Sequence, residues 1–75
     1  MNVVINGEDR ATPAATLSAL VVHLGMKPDR VAIELNREIV ARDRWPDTEL
    51  HDGDRLEIVQ FVGGGSSNSG RLMIR

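Results

Sequence analysis

The chain has 75 residues, enough for one small domain with a single core, and its 41% hydrophobic and 27% charged residues are typical of a folded protein. The net charge is −2, but Arg71 and Arg75 lie in the last ten residues, so residues 1–65 carry 11 acidic and 7 basic side chains, or −4. This charge argues against nucleic-acid binding, which needs a basic face to neutralise phosphates. An acidic domain is better suited to a basic protein partner.

Two further classes are excluded by composition. The chain has no cysteine, so it can form neither disulfides nor thiolate metal sites. No apolar run approaches the roughly 20 residues of a membrane span, and the N-terminus lacks the layout of a signal peptide. We therefore expect a cytoplasmic protein with no membrane partner.

The first half of the chain is predicted to form a hairpin and a helix. Met1, Val3 and Ile5 alternate along a strand, Gly7-Glu8 turns it, and residues 9–12 return as a second strand. Thr16 is the expected N-cap of the helix and Gly25 its C-terminal stop. The apolar stripe of this helix has i, i+3, i+4, i+7 spacing and consists of Leu17, Leu20, Val21 and Leu24.

The second half is predicted to form three strands. Residues 31–35 alternate as a half-buried strand, residues 38–40 form a short one, and residues 42–48 are a loop or helical turn held by Trp45. Asp52-Gly53-Asp54 is a strong turn signal before the last strand, residues 55–62. The predicted core consists of Val3, Ile5, Leu17, Leu20, Val21, Leu24, Val31, Ile33, Leu35, Leu50, Leu56 and Ile58.

Gly63-Gly64-Gly65 directly follows the last strand. Glycine is used where backbone must pass through a space that no Cβ could enter, so this run suggests that a partner's active site receives the backbone or its terminal carboxylate. From Ser66 the composition is that of a flexible linker. We expect residues 63–75 to be mobile, with Leu72-Met73-Ile74 too short to form an element, and we place residues 66–75 outside the domain.

Side chains suited to catalysis are few. His23 and His51 are the only histidines and lack zinc-site spacing, and no serine has a nucleophile-elbow context. The glycine-rich stretch lacks the Lys-Ser/Thr of a phosphate-binding loop. The scattered carboxylates are read as a solvated surface. The sequence thus predicts neither an enzyme nor a metal site, and no cofactor bound by the chain itself.

Several segments of the chain form a recognisable pattern when they are taken in order: Val4-Ile5-Asn6-Gly7-Glu8, Val31-Ala32-Ile33-Glu34-Leu35-Asn36, Ile39-Val40, Arg42, Trp45, Asp52-Gly53-Asp54 and residues 58–65. This pattern resembles the ThiS family, the sulfur carriers of thiamine biosynthesis. The resemblance covers residues 1–65, about the whole of the part expected to fold. It implies an α+β, ubiquitin-like β-grasp fold, in which a mixed sheet packs on one helix.

The resemblance also implies a chemistry for the glycines. In the family, a partner enzyme uses ATP to adenylate the terminal glycine carboxylate, the acyl adenylate becomes a thiocarboxylate, and sulfur is delivered to thiazole synthase. Gly65 would carry the sulfur, and Gly63 and Gly64 would form the flexible arm. The implied partners are the adenylating enzyme and thiazole synthase.

This chain departs from the family pattern at Ser66, which leaves Gly65 without a carboxylate. Three explanations are open: an added segment, a native extension removed by a protease, or a chain that no longer carries sulfur. Two other functions are also open. One is the small subunit of molybdopterin synthase, against which the context of Asn36, Trp45 and Phe61 argues. The other is a β-grasp protein modifier or interaction domain without sulfur chemistry.

The last strand supplies a candidate docking surface. Period-two alternation sends Leu56 and Ile58 inward, so Val59 and Phe61 point outward. We expect these two to anchor a partner while Glu57 steers its approach. In the alternative reading, Phe61 packs on Trp45 or on a neighbouring strand and only fills a second small cluster.

Overall fold

A computed structural model describes residues 1–62 and 71–74, and the side chains of residues 1–61. Two short 3-10 turns, Pro28–Arg30 and Arg42–Asp47, interrupt an otherwise regular chain. The elements are β1 (Asn2–Ile5), β2 (Glu8–Ala11), α1 (Leu17–His23), β3 (Val31–Leu35), β4 (Glu38–Val40), β5 (Arg55–Val62) and β6 (Arg71–Ile74).

The strands form one mixed sheet in the order β2-β1-β5-β3-β4, with β6 also paired to β5. β1 runs parallel to β5, and the other pairs are antiparallel. Helix α1 buries Leu17, Leu20 and Val21. The predicted mixed sheet packed on one helix, the β-grasp, is confirmed.

No helix in the described part of the chain is long and apolar enough to cross a membrane.

Helix α1 begins and ends where the sequence predicts. The Thr16 hydroxyl oxygen accepts a hydrogen bond from the Ala19 amide at 3.1 Å, as an N-cap does. At the other end, Gly25 has φ 73° and its amide donates to the Val22 carbonyl, while the Met26 amide donates to the Val21 carbonyl. This is a Schellman motif, and its positive φ explains the glycine.

The core lies between α1 and the inner face of the sheet. All predicted core residues are buried except Leu24 and Leu35, which are partly buried and pack against the others. Ala14 and Trp45 join the core, which the sequence analysis did not predict. The Trp45 ring nitrogen donates to the Val40 carbonyl at 3.0 Å, so this residue holds the 3-10 turn against the sheet.

Two asparagines extend the hydrogen bonding of β5. Asn6, which follows β1, donates from Nδ2 to the Ile58 carbonyl (3.2 Å) and accepts from the Ile58 amide through Oδ1 (2.8 Å). Asn36, which follows β3, accepts from the Arg55 amide through Oδ1 (3.1 Å) and donates to the Asp54 carboxylate (3.0 Å). Each side chain therefore continues a ladder where its own strand has ended.

The prediction that residues 72–74 form no element is wrong. Arg71–Ile74 form β6, which pairs antiparallel with the second half of β5. The physical reason is that a strand edge offers unpaired backbone groups, so a short segment can be ordered by hydrogen bonds it could not make alone. The mobility predicted for residues 63–75 stays a prediction, because strand pairing by itself does not measure motion. Residues 63–70 and 75 lie outside the described residues, and the domain boundary after Gly65 stays a prediction.

Candidate docking surface

β5 separates the core from a candidate docking surface on the outer face of the sheet. Leu56 and Ile58 point inward and are at most 1% exposed. Glu57, Val59 and Phe61 occupy the alternate positions, where Glu57 is exposed and the other two are partly exposed. The alternation expected from the sequence is therefore present, and it brings the three predicted docking residues to one face.

Two neighbouring strands widen this surface. Ala32 lies opposite Val59, Glu34 opposite Glu57, and Ile39 opposite Glu34. Ile39 is 79% exposed and therefore adds apolar surface to this face. We call Ala32, Glu34, Ile39, Glu57 and Val59 the outer-face patch. Together with Ile33 they line a shallow depression of about 230 Å³.

The outer-face patch combines apolar side chains with two facing carboxylates. Glu34 and Glu57 are direct cross-strand partners, and like charges in that position repel each other. Arg37 and Arg55 line an adjoining depression with them, yet no described side chain forms an ion pair with either glutamate. A cationic group from a partner would relieve this repulsion.

Phe61 is not part of the described cluster that contains Trp45. Trp45 is 3% exposed and belongs to the core, while Phe61 is partly exposed and lies outside that core. Packing of Phe61 on Trp45 thus finds no support among the described residues. In the sheet, Phe61 is the register partner of Leu72 in β6.

The docking candidates predicted from the sequence did not include Ala32, Glu34 and Ile39. The signal was available, because alternation in residues 31–35 sends Ala32 and Glu34 away from the buried Val31 and Ile33. What could not be foreseen was the register that sets them beside Glu57 and Val59. The predicted arm, Gly63, Gly64 and Gly65, lies outside the described residues, directly after Val62.

The described histidines and carboxylates are dispersed over the surface. No group of three or more His, Cys, Asp or Glu side chains among them could hold a metal ion. His51 lies 3.9 Å from the Asp54 carboxylate in an exposed turn. The described residues thus offer a candidate surface for binding a partner, and β5, which borders this surface, directly precedes Gly63 in the sequence.

Comparison with known proteins gives consistent results. The model of the ThiS family matches residues 3–65. The sulfur carrier protein ThiS of Bacillus subtilis is 36% identical over 63 residues, which are 81% of this chain and 96% of that protein. A crystal structure of the thiamine biosynthesis protein ThiS from Geobacter metallireducens superposes with a TM-score of 0.73 at 32% identity, covering 87% of this chain and all of that one.

Other relatives are much longer. A thiazole synthase of Paramagnetospirillum magneticum is 46% identical over 70 residues, covering 92% of this chain, and one of Magnetococcus marinus is 38% identical over 66 residues. The chain spans only 22% and 20% of the lengths of these two proteins. Since 92% of 75 residues is about 69 and only 65 residues precede Ser66, the first match continues past Gly65.

Proposed function

Because the chain belongs to the ThiS family, whose model matches residues 3–65, we propose that it is a sulfur carrier for thiazole formation in thiamine biosynthesis. The observation that carries the proposal is the extent of this match, which runs from the first strand to the last glycine of the run. In this role the chain is a substrate of partner enzymes and not itself an enzyme.

The proposed chemistry takes place at the Gly65 carboxylate. A carboxylate is a poor electrophile, so an adenylating enzyme first joins it to the α-phosphate of ATP and releases pyrophosphate. A sulfur nucleophile then displaces AMP from the acyl adenylate, which leaves a thiocarboxylate on Gly65. ATP is bound by the partner enzyme, and this chain contributes a slender backbone arm, Gly63 to Gly65, that can enter a narrow site.

The outer-face patch and Phe61 fit the role of the docking surface in this proposal. Val59 and Phe61 offer partly exposed apolar area a few residues before the arm, where an anchor fixes how far the arm reaches. Ile39, on β4, adds exposed apolar area to the same face. Glu34 and Glu57 supply negative charge beside that anchor and favour a partner with basic side chains. The proposed partners are the adenylating enzyme and thiazole synthase.

The proposal requires that the Gly65–Ser66 peptide bond be opened before loading, because adenylation needs a free carboxylate. The long thiazole synthase relative bears on this point, since its match also continues past Gly65. In that relative, the segment similar to this chain is 22% of a longer polypeptide. Hydrolysis of the peptide bond after Gly65 would release the carboxylate both in this chain and in a longer polypeptide that contains it.

A direct test compares two versions of the chain, one ending at Gly65 and one with all 75 residues. Each is incubated with a purified adenylating enzyme, ATP and radiolabelled pyrophosphate. We expect exchange of label into ATP with the version ending at Gly65 and none with the full chain. With a sulfur donor added, mass spectrometry should show replacement of one oxygen by sulfur. Absence of exchange with the version ending at Gly65 would contradict the proposal.

A further inference from the structure

The edge of β5 that faces β1 is occupied in three successive ways. β1 pairs with it at Arg55 and Leu56. The Asn6 side chain then takes both backbone groups of Ile58. β6 pairs with it from Val59 to Val62. Because β3 covers the opposite edge from Leu56 to Gln60, β6 lies on the same edge as β1.

The hydrogen-bonding groups that β6 covers can be identified from the alternation of the strand. The Leu56 carbonyl accepts from the Asn6 amide, and Ile58 bonds to the Asn6 side chain, so even-numbered residues turn their backbone groups to this edge. Gln60 and Val62 therefore do the same. Their register partners are Met73 and Arg71. These two pairs are the hydrogen-bonded ones, and Phe61 with Leu72 is a non-hydrogen-bonded pair.

We propose that β6 is an autoinhibitory strand, which occupies the edge of β5 on which an extended segment of a partner would pair. Gln60 and Val62 are the last two positions of β5 that turn their backbone groups to this edge, and β6 takes the groups of both. A partner that adds a strand to this edge needs the same groups. Docking therefore requires β6 to leave β5.

The inference rests on the proposed function in one respect, that the adenylating enzyme binds the chain at the end of β5. Asn6 supports the inference, because its side chain bonds the backbone groups of Ile58 where β1 has ended. The backbone groups of Gln60 and Val62 are then available to a strand other than β1. An uncovered edge of this kind is a template for an incoming strand. The chain's own residues 71–74 fill it in the structure, and a partner's docking segment would compete with them.

Two proline variants test this inference in the full chain. Met73→Pro removes an amide that donates to β5, while Leu72→Pro removes one that faces away from it, so only the first should release β6. Amide hydrogen exchange at Gln60 and Val62 reports the pairing. We expect exchange about tenfold faster in Met73→Pro, and in a chain ending at Gly65, than in wild type or Leu72→Pro. The Val59 amide, which faces β3, is the internal reference.

Binding to the adenylating enzyme supplies the second measurement. If only chains whose β6 has left β5 can bind, the apparent affinity equals the intrinsic affinity multiplied by the fraction of chains in that state. Met73→Pro should therefore bind more tightly than Leu72→Pro, by the ratio of their exchange rates at Gln60 and Val62. Equal exchange in the two variants, or unequal exchange with equal affinity, would overturn the inference and leave the proposed function intact. Failure of every version to bind, including the one ending at Gly65, would overturn both.

Discussion

Asn6 shows how one residue can serve the chain in two ways. Its φ of 51° lies in the left-handed region, which asparagine tolerates better than most residues, and this lets the chain turn from β1 into β2. The side-chain amide of Asn6 also forms hydrogen bonds with the carbonyl and the amide of Ile58, 52 residues away. Asn-Gly is a recognisable turn signal in the sequence. The bonds to Ile58 could not be predicted, because they depend on where β5 lies relative to that turn.

Replacing Asn6 separates these two contributions. Asn6→Gly keeps the backbone conformation and loses two side-chain hydrogen bonds, which should lower the free energy of unfolding by about 1–3 kcal/mol. Asn6→Ala loses the same bonds and also places a Cβ at positive φ, so it should cost about 1 kcal/mol more. Urea denaturation measures both. Equal stability of Asn6→Gly and wild type would show that the Ile58 bonds contribute nothing.

Phe61 is the residue on which the docking proposal depends most directly. Because its ring is partly exposed and lies outside the core, Phe61→Ala should leave the fold nearly intact. It should weaken binding to the adenylating enzyme by about 1–3 kcal/mol, as expected for an aromatic anchor. Binding of the version ending at Gly65, measured by calorimetry, avoids any contribution from β6.

Val22→Ala is the matched control for Phe61→Ala. Val22 is 72% exposed on α1, on the opposite side of the molecule from the outer-face patch. We expect this variant to bind as wild type does. If Phe61→Ala unfolds the domain, or if it binds the partner as tightly as wild type, the docking surface lies elsewhere.

At the scale of elements, helix α1 is the piece that the sequence predicts best. Its N-cap, its apolar stripe and its C-terminal glycine are all encoded in neighbouring residues. Such local preferences predict the structure correctly when the tertiary contacts favour the same conformation. β5 was also predicted with the bounds it has, because a turn signal precedes it and the glycines follow it. The 3-10 turn at Pro28–Arg30 was not predicted, since short turns of this kind have little periodicity.

Leu20 tests the packing of that helix. It is fully buried between α1 and the sheet, so Leu20→Ala should lower the free energy of unfolding by about 2–5 kcal/mol. For a domain of this size, that is a large part of the total. Val22→Ala on the same helix removes an exposed side chain and should change stability by less than about 0.5 kcal/mol. A change under about 1 kcal/mol for Leu20→Ala would contradict the assignment of the apolar stripe.

β6 marks the limit of prediction from sequence at this scale. Its four residues carry a short apolar run that is ambiguous in isolation, and they follow a stretch of linker composition. Their strand conformation depends on an edge of β5 that exists only after the rest of the sheet has formed. Trp45 is a similar case, because its burial depends on the turn that presents it to the core and not on any periodic pattern.

At the scale of the whole molecule, stability and the proposed docking role place opposite demands on the outer-face patch. Glu34 and Glu57 face each other on adjacent strands, an arrangement that costs stability, and Ile39 exposes most of its surface beside them. A domain selected for folding alone would gain by replacing either glutamate. A surface that receives a basic, partly apolar partner accounts for both features, because docking would neutralise the charges and cover the apolar area.

Glu57→Gln should therefore change stability and binding in opposite directions. Removing one of two facing carboxylates should raise the free energy of unfolding by about 0.2–1 kcal/mol, measured at low ionic strength where the repulsion is strongest. The same change should slow association with the adenylating enzyme and make the association rate less sensitive to salt. Glu8→Gln, on strand β2, makes the same change in net charge away from the outer-face patch. If the two variants slow association equally, net charge alone steers the partner. If only Glu57→Gln does so, while it also stabilises the free chain, then the facing pair of glutamates belongs to the docking surface.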